Sequence, residues 1–401
     1  MAKTLLSIAL LLAAAKAGGL LSRRLKMPEV LGALLAGVIL GPAGFHLVRY
    51  DAGIQLLSNL GVVLLMFLAG IETDAEQFKK AGRSSFVIAL LGILVPLVAG
   101  TLCAFFFYRN LMENIFVGAI LTATSVSITV ETLTELGRLN TRAGIHILGA
   151  AVIDDVLGLV LISVLLAVNG GATGGPLLLT VAGMVLFCLS GILAVVFLPR
   201  AARRMTRKIR PGGTLLTLSL AAALFAAFLA ESLGIAAVTG AYLCGLVLSQ
   251  SGHREYLERN VRVISSGFLS PIFFASVGLE AGLDGLGSRT VWITAVMFLV
   301  AVAGKMVGCG AAARLFRMSR SESLQIGVGM ISRGEVAIIT ANLGLRNRII
   351  TQEIFLPTIL VVLLTTLVTP ILLKLSFSRR SGGRIEAGSS APRYRKRNDQ
   401  K

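Results

Sequence analysis

Residues 150–166 read AAVIDDVLGLVLISVLL, so that two adjacent carboxylates, Asp154 and Asp155, interrupt an apolar run. A charged side chain near the centre of a bilayer costs roughly 2.5–3.5 kcal/mol on insertion scales, and such residues mark functional sites. If the helix begins near residue 143, Asp154 lies about 17 Å along it, close to the middle of a hydrocarbon layer roughly 30 Å thick. The pair therefore predicts an intramembrane functional site. The alternative is a structural polar site, such as the cap of a broken helix.

The composition predicts an all-α polytopic membrane protein. The chain has 401 residues, of which 55% are hydrophobic and 14% charged, and its mean hydropathy is +0.84. The net charge of +18 does not indicate a nucleic-acid partner, because the Lys and Arg residues lie mostly between apolar runs. Phosphate-binding, zinc-binding and hydrolytic motifs are missing from the sequence, so we expect neither enzyme activity nor a cofactor. The four cysteines lie in apolar segments, and we expect no disulfide.

Windows of about 20 apolar residues predict thirteen transmembrane helices. They cover residues 3–21, 29–46, 54–71, 86–107, 114–134, 144–168, 176–199, 213–232, 234–250, 263–280, 291–313, 324–344 and 354–377. Most Lys and Arg residues fall in the odd-numbered loops and the C-terminal tail. The positive-inside rule then predicts a multi-pass protein of the cell (inner) membrane, with the N-terminus outside and the C-terminus cytoplasmic.

The chain repeats itself at an offset of 208 residues. GALLAGVIL at 32–40 matches GAYLCGLVL at 240–248, and GIE at 70–72 matches GLE at 278–280. The offset moves the second predicted helix onto the ninth, a shift of seven helices. Because seven is odd, the two matching segments cross the membrane in opposite directions. We therefore predict inverted-topology repeats at 1–168 (helices 1–6) and 213–377 (helices 8–13). A connector helix and a basic loop occupy 169–212, and a basic disordered tail occupies 378–401.

Inverted-repeat transporters hold their ion at the midplane, where two discontinuous helices cross. The two most polar windows of the fifth and twelfth predicted helices occupy equivalent positions in the repeat, and we predict breaks there. Their candidate residues are Thr124, Ser125 and Ser127 in the first window, and Arg333 and Glu335 in the second. Two alternatives stay open. The hydroxyls bond back to carbonyls four residues earlier, or the charged pair belongs to a structural network.

Lys305 is a third charge inside an apolar helix, and pairing it with a carboxylate offsets part of the cost of burying both. Neighbouring residues on a helix point about 100° apart, so one aspartate meets Lys305 while the other faces an ion cavity. A carboxylate there holds either a proton or a hard cation, and that competition suffices for antiport. Glu72 and Glu280 lie at helix ends, where we expect interfacial solvation.

Over residues 1–377 the chain resembles the monovalent cation/proton antiporter superfamily, specifically the thirteen-helix bacterial Na⁺/H⁺ antiporters of its second branch. The resemblance is carried by IDD at 153–155, Lys305, SRGE at 332–335 and LAGIE at 68–72. It implies a homodimer in membrane lipid, with a dimerisation domain (helices 1–3 and 8–10) and a mobile core (helices 4–6 and 11–13). It also implies that Asp155 binds Na⁺ and exchanges it for H⁺, while Asp154 pairs with Lys305 and releases it on binding.

The leading hypothesis is a Na⁺ (or Li⁺)/H⁺ antiporter that works by alternating access. Relatives with Asp-Asp are usually electrogenic, which implies two protons per cation. A K⁺/H⁺ antiporter with the same mechanism stays open as an alternative, as does a non-transporting membrane sensor with a transporter fold. The three buried charges speak against the sensor, because it has no evident use for them. A passive channel has no need of a carboxylate that couples to protons.

Overall fold

A computed structural model describes residues 2–168, 197, 203–204, 211–233, 235–280 and 287–378. Within these ranges the chain forms helices and loops and no strand. Three parts of the predictions lie outside the described residues: the seventh predicted helix apart from residue 197, most of the connector at 169–212, and residues 379–401 of the tail.

The helices of the first half are α1 (Ala2–Arg24), α2 (Glu29–Leu40), α3 (Ala52–Glu72), α4 (Ala75–Ala104), α5 (Leu111–Ile120), α6 (Val126–Glu135) and α7 (Arg142–Val168). Those of the second half are α8 (Gly213–Ser232), α9 (Ala237–Leu248), α10 (Arg254–Ile264), α11 (Ser270–Leu279), α12 (Ser288–Leu315), α13 (Arg320–Gly329), α14 (Glu335–Arg346) and α15 (Gln352–Ser378). A single π-helical turn, Ser265–Leu269, joins α10 to α11.

Eight helical stretches of the described residues are long and apolar enough to cross a membrane, and shorter apolar helices accompany them. The chain is thus a multi-pass membrane protein. Several predicted boundaries were wrong by more than a turn. The fourth helix begins at Ala75 and not at 86, because the Asp74 side chain accepts hydrogen bonds from the N–H groups of Glu76 and Gln77 and starts it there. The second ends at Leu40 and not at 46.

Both predicted discontinuities are present, each a few residues earlier than expected. The fifth predicted helix divides into α5 and α6 between Ile120 and Val126, and the twelfth divides into α13 and α14 between Gly329 and Glu335. The two breaks touch, because the Ser125 N–H donates to the Ser332 carbonyl at 2.7 Å. Ser127 consequently lies in the first turn of α6 and Glu335 begins α14.

The observed helix boundaries repeat at the same offset of 208 residues. Moving α2 from 29–40 by that offset gives 237–248, the bounds of α9. Close helix contacts repeat as well. A Cβ atom added to Gly70 would lie 2.2 Å from the Tyr242 carbonyl oxygen, and one on Gly278 would lie 2.2 Å from the Leu34 carbonyl oxygen. Each member of the first pair is 208 residues from a member of the second, so equivalent positions make equivalent backbone contacts.

Candidate ion-binding site

The two aspartates lie near the middle of α7, and both side chains are buried, with exposed fractions of 2% for Asp154 and 7% for Asp155. α7 packs closely on α4, where a Cβ atom on Gly149 would lie 2.5 Å from the Ser85 hydroxyl oxygen. Because successive residues of a helix diverge by about 100°, the carboxylates reach different neighbours.

Asp154 contacts Lys305 of α12. The Lys305 Nζ atom donates to Oδ1 of Asp154 at 3.1 Å and to Oδ2 at 3.3 Å, and the lysine side chain is fully buried. The Thr124 side chain also interacts with Asp154. Gly92 of α4 allows α12 to pack closely beside this pair, since a Cβ atom there would lie 2.6 Å from the Cys309 Sγ atom. The structure thus brings together the lysine and one aspartate, as the sequence predicts.

Asp155 faces a different environment, a cavity at the N-terminal end of α6. The Thr239 hydroxyl of α9 donates to Oδ2 of Asp155 at 3.2 Å. The cavity has a volume of about 10 Å³, which holds about one water molecule or one small ion. The cavity is lined by Val62, Met66, Thr124, Ser125, Val126, Ser127, Asp155, Val238 and Val336.

The three predicted hydroxyl residues therefore line the same cavity as Asp155. Within the described part of the chain none of them bonds back to a carbonyl four residues earlier: Thr124 donates to the Thr122 carbonyl at 3.4 Å, and the Ser125 and Ser127 hydroxyls are 3.3 Å apart. Thr132, farther along α6, does make that bond, to the Ile128 carbonyl. Ser125 precedes the first turn of α6, so the positive end of this half-helix also faces the cavity.

Arg333 binds backbone carbonyls at both helix breaks. Its guanidinium is fully buried and donates to three carbonyls: Leu121 at 2.6 Å, Ile331 at 2.9 Å and Ala301 at 3.1 Å. Leu121 is the C-cap of α5, at the negative end of the helix dipole, so the Arg333 cation is stabilising there. The equivalent carbonyl of the other half-helix, at Gly329, accepts from the Thr129 hydroxyl at 2.8 Å.

These contacts place Arg333 in a structural network, one of the two alternatives left open by the sequence. The side chain of Glu335 lies outside the described part of the structure, so a pair between Arg333 and Glu335 stays a prediction.

The expectation of interfacial solvation was wrong for Glu72. Its side chain is buried, and its Oε1 atom lies 2.8 Å from an Arg262 nitrogen. Arg254 and Asn140 donate to the Glu72 carbonyl at 2.7 and 2.9 Å. The reason is that α10 extends back to Arg254, well before the predicted start at 263, and carries both arginines over the end of α3.

Sequence reasoning missed Thr239 and Glu135. Thr239 directly precedes the repeated stretch at 240–248, and it is a polar residue in an apolar window. Glu135 accepts hydrogen bonds from the N–H groups of Glu29 (2.6 Å) and Val30 (3.1 Å). Its signal was spacing: Ser127, Glu131 and Glu135 are four residues apart and share a face of α6.

Comparison with known proteins agrees with this geometry. Residues 7–378 match the family described as sodium/hydrogen exchanger, transmembrane. The Na(+)/H(+)-K(+) antiporter GerN of Bacillus cereus is 36% identical over 373 residues, which cover 93% of this chain and 96% of GerN. A Na(+)/H(+) antiporter of Enterococcus hirae is 37% identical over 369 residues, 92% of this chain and 96% of that protein.

The fold is that of a solved antiporter. The sodium proton antiporter MjNhaP1 of Methanocaldococcus jannaschii, at pH 8, superimposes with a TM-score of 0.69 at 17% identity, over 94% of this chain and 99% of that one. With a family match that covers most of its length and relatives above 35% identity, the chain belongs to the sodium/hydrogen exchanger family.

Proposed function

We propose that the protein is a secondary active antiporter that exchanges Na⁺ or Li⁺ for H⁺ by alternating access. The observation that carries the proposal is the position of Asp155, buried in a small cavity with hydroxyl oxygens where two broken helices meet. Of the relatives above 35% identity, that of Enterococcus hirae is named as a Na(+)/H(+) antiporter and GerN as a Na(+)/H(+)-K(+) antiporter. Asp155 is the residue we assign to Na⁺.

Oxygen ligands suit this substrate, since carboxylate and hydroxyl oxygens bind hard cations. Thr124, Ser125, Ser127 and Thr239 supply oxygens beside the Asp155 carboxylate. The same carboxylate binds a proton, and the two ligands exclude each other. A carrier that reorients only when Asp155 is occupied then moves them in opposite directions.

Two protons per cation follow if the Asp154–Lys305 pair takes part. In this structure the pair is closed, with Lys305 donating to both oxygens of Asp154. One proton leaves Asp155 when the cation binds, and Lys305 gives up the second after Asp154 releases it. This stoichiometry makes the exchange electrogenic.

The remaining architectural predictions belong to the same proposal. We infer thirteen helices in two inverted repeats, at 1–168 and 213–377, and the repeated boundaries and glycine contacts support this. The core of α4–α7 and α12–α15 moves against a dimerisation scaffold of α1–α3 and α8–α11 in a homodimer. The protein lies in the inner membrane with its N-terminus outside, and it uses no cofactor.

K⁺ is a second candidate substrate. GerN, 36% identical over nearly its whole length, is named for both Na(+)/H(+) and K(+). Its name keeps a K⁺/H⁺ antiporter as the alternative with the same residues.

Proton movement in sealed proteoliposomes tests the proposal. Pulses of Na⁺, Li⁺ and K⁺ are applied with the membrane potential clamped and then released, and the internal pH is followed with a dye. Na⁺- and Li⁺-driven proton flux that responds to the potential supports electrogenic exchange. A response to K⁺ alone selects the second candidate, and silence with every cation from folded protein overturns both.

A further inference from the structure

The N-terminus of α2 is capped by a residue that lies 105 positions or more away in sequence. Pro28 precedes α2 and offers no side-chain cap, so the first N–H groups of the helix need another acceptor. The Glu135 carboxylate supplies it, with Oε2 at 2.6 Å from the Glu29 nitrogen and Oε1 at 3.1 Å from the Val30 nitrogen. Hydrogen bonds from N–H groups to a carboxylate are among the stronger ones in proteins.

This contact joins the two bodies of the proposed transport cycle. α2 lies in the scaffold, where it packs on α1 and α11. α6 is tied to the core, because Thr129 donates to the Gly329 carbonyl and the Ser125 N–H to the Ser332 carbonyl. A core that moves relative to the scaffold must therefore break or re-form the bonds of Glu135.

The same helix also reaches the ion site. Ser127 lines the cavity beside Asp155, and Glu135 lies eight residues later on the same face, about 12 Å along a rigid α-helix. If α6 moves so that solvent reaches Ser127 from the side of the membrane where Glu135 lies, the same movement withdraws Glu135 from α2. Site access at this end and the cap of α2 are mechanically linked.

Other core-to-scaffold bonds gather at this end. The Asn140 side chain, which precedes α7, donates to the Glu72 carbonyl at the end of α3 at 2.9 Å. Thr134 of α6 donates to Glu72 at 3.5 Å. These bonds all lie in loops or helix ends that the charge pattern predicts to be cytoplasmic.

We propose that Glu135 is a positioning residue of the antiporter, which holds the path to Asp155 closed at the Glu135 end by capping α2. The inference rests on the proposed function for its role in the cycle. The closure itself is a property of the fold and is measurable without turnover.

The test is thiol accessibility. In a background with Cys103, Cys188, Cys244 and Cys309 replaced by alanine, Ser127→Cys reports access to the cavity from either side. Membrane-impermeant maleimide is applied to inside-out and to right-side-out vesicles. Glu135→Ala is expected to raise the labelling rate about fivefold from the Glu135 end, which inside-out vesicles expose if that end is cytoplasmic. A fivefold change corresponds to the free energy of one lost helix cap. The labelling rate from the opposite side should fall. Glu76→Ala, an exposed glutamate at the same end, should leave both rates unchanged.

A second variant separates closure from simple helix stability. Pro28→Ser gives α2 a cap of its own, so Pro28→Ser/Glu135→Ala restores the helix end without restoring the tie to α6. We expect the labelling rate to stay high in the double variant. A return to the parent rate, or no change in Glu135→Ala, overturns the proposal.

Transport kinetics supply a third readout that a structural defect does not imitate. With Ser127 intact, Glu135→Ala should lower the apparent KM for Na⁺ offered at the opened side about fivefold, because the binding-competent state is more populated. An unchanged or raised KM contradicts the proposal. If even the parent shows no exchange with Na⁺, Li⁺ or K⁺, the proposed function fails, while the labelling result still decides whether Glu135 closes the path.

Discussion

Lys305 and Asp154 form an ion pair in which both side chains are buried, with the Lys305 ammonium 3.1 and 3.3 Å from the two carboxylate oxygens of Asp154. Removing one partner of a buried pair costs about 3–5 kcal/mol, because the other charge stays buried without compensation. We expect Lys305→Met to lower the free energy of unfolding by this order, measured by thermal unfolding in detergent. The double variant Asp154→Leu/Lys305→Met should regain most of the loss. A single variant as stable as the parent would contradict the pairing.

Asp155→Asn should abolish cation/proton exchange and leave the fold intact. The amide keeps the size of the carboxylate and its contact with Thr239, but it carries no charge and does not titrate. Proteoliposome exchange and thermal unfolding are measured on the same preparation, with Glu76→Gln as the exposed control. Full exchange by folded Asp155→Asn protein would remove Asp155 from the ion site.

Arg333→Lys should destabilise the crossing of the broken helices although it keeps the charge. A lysine ammonium lacks the planar fork that reaches the carbonyls of Leu121, Ile331 and Ala301 together. Each buried carbonyl left without a donor costs about 1–3 kcal/mol, and we expect a loss in that range. Unfolding of Arg320→Lys, an exposed arginine on α13, is the matched comparison. Equal stability of the two variants would sink the structural role.

Gly245→Ala should disturb the packing of α3 on α9. The added Cβ would lie 2.2 Å from the Phe67 carbonyl oxygen, which is too close without a backbone shift. Overpacking of this kind costs about 1–3 kcal/mol. Gly252→Ala is the control, since its Cβ would meet no atom within 4 Å. The proposed repeat adds that Gly37→Ala has a similar effect, and a stable Gly245→Ala protein would refute the close contact.

Asp74→Ala should weaken the start of α4 by about 1 kcal/mol, the usual value of an N-cap. Hydrogen bonds, first that from the Gln77 backbone N–H, lower the pKa of Asp74. A carboxyl with a lowered folded pKa contributes stability above its ordinary pKa, about 3.9, and loses it as the pH falls. Unfolding titrations should therefore show parent and variant apart at neutral pH and converging in acid. A constant difference at all pH values would exclude the charge contribution.

The amino-acid sequence by itself determined the class of the protein and the positions of its unusual residues. Apolar windows, the Asp154–Asp155 pair, Lys305 and the hydroxyl cluster at 124–127 are read directly from the chain, because the free energy of transfer into lipid depends on residue type. The broken helices were also predictable, because their two polar windows occupy equivalent positions in the repeat of 208 residues. Local rules erred mainly at helix ends, where a cap such as Asp74 decides the first turn.

Only the tertiary structure decided which polar groups meet. Asp154 and Asp155 are the same residue type and lie next to each other in the same apolar run. Their partners differ because α7 points the two side chains toward different helices. Arg333 contacts the carbonyls of Leu121 and Ala301, Glu72 is buried under α10, and Glu135 caps α2. All these partners are distant in sequence. Pairing of this kind depends on the relative placement of packed helices, which no local propensity encodes.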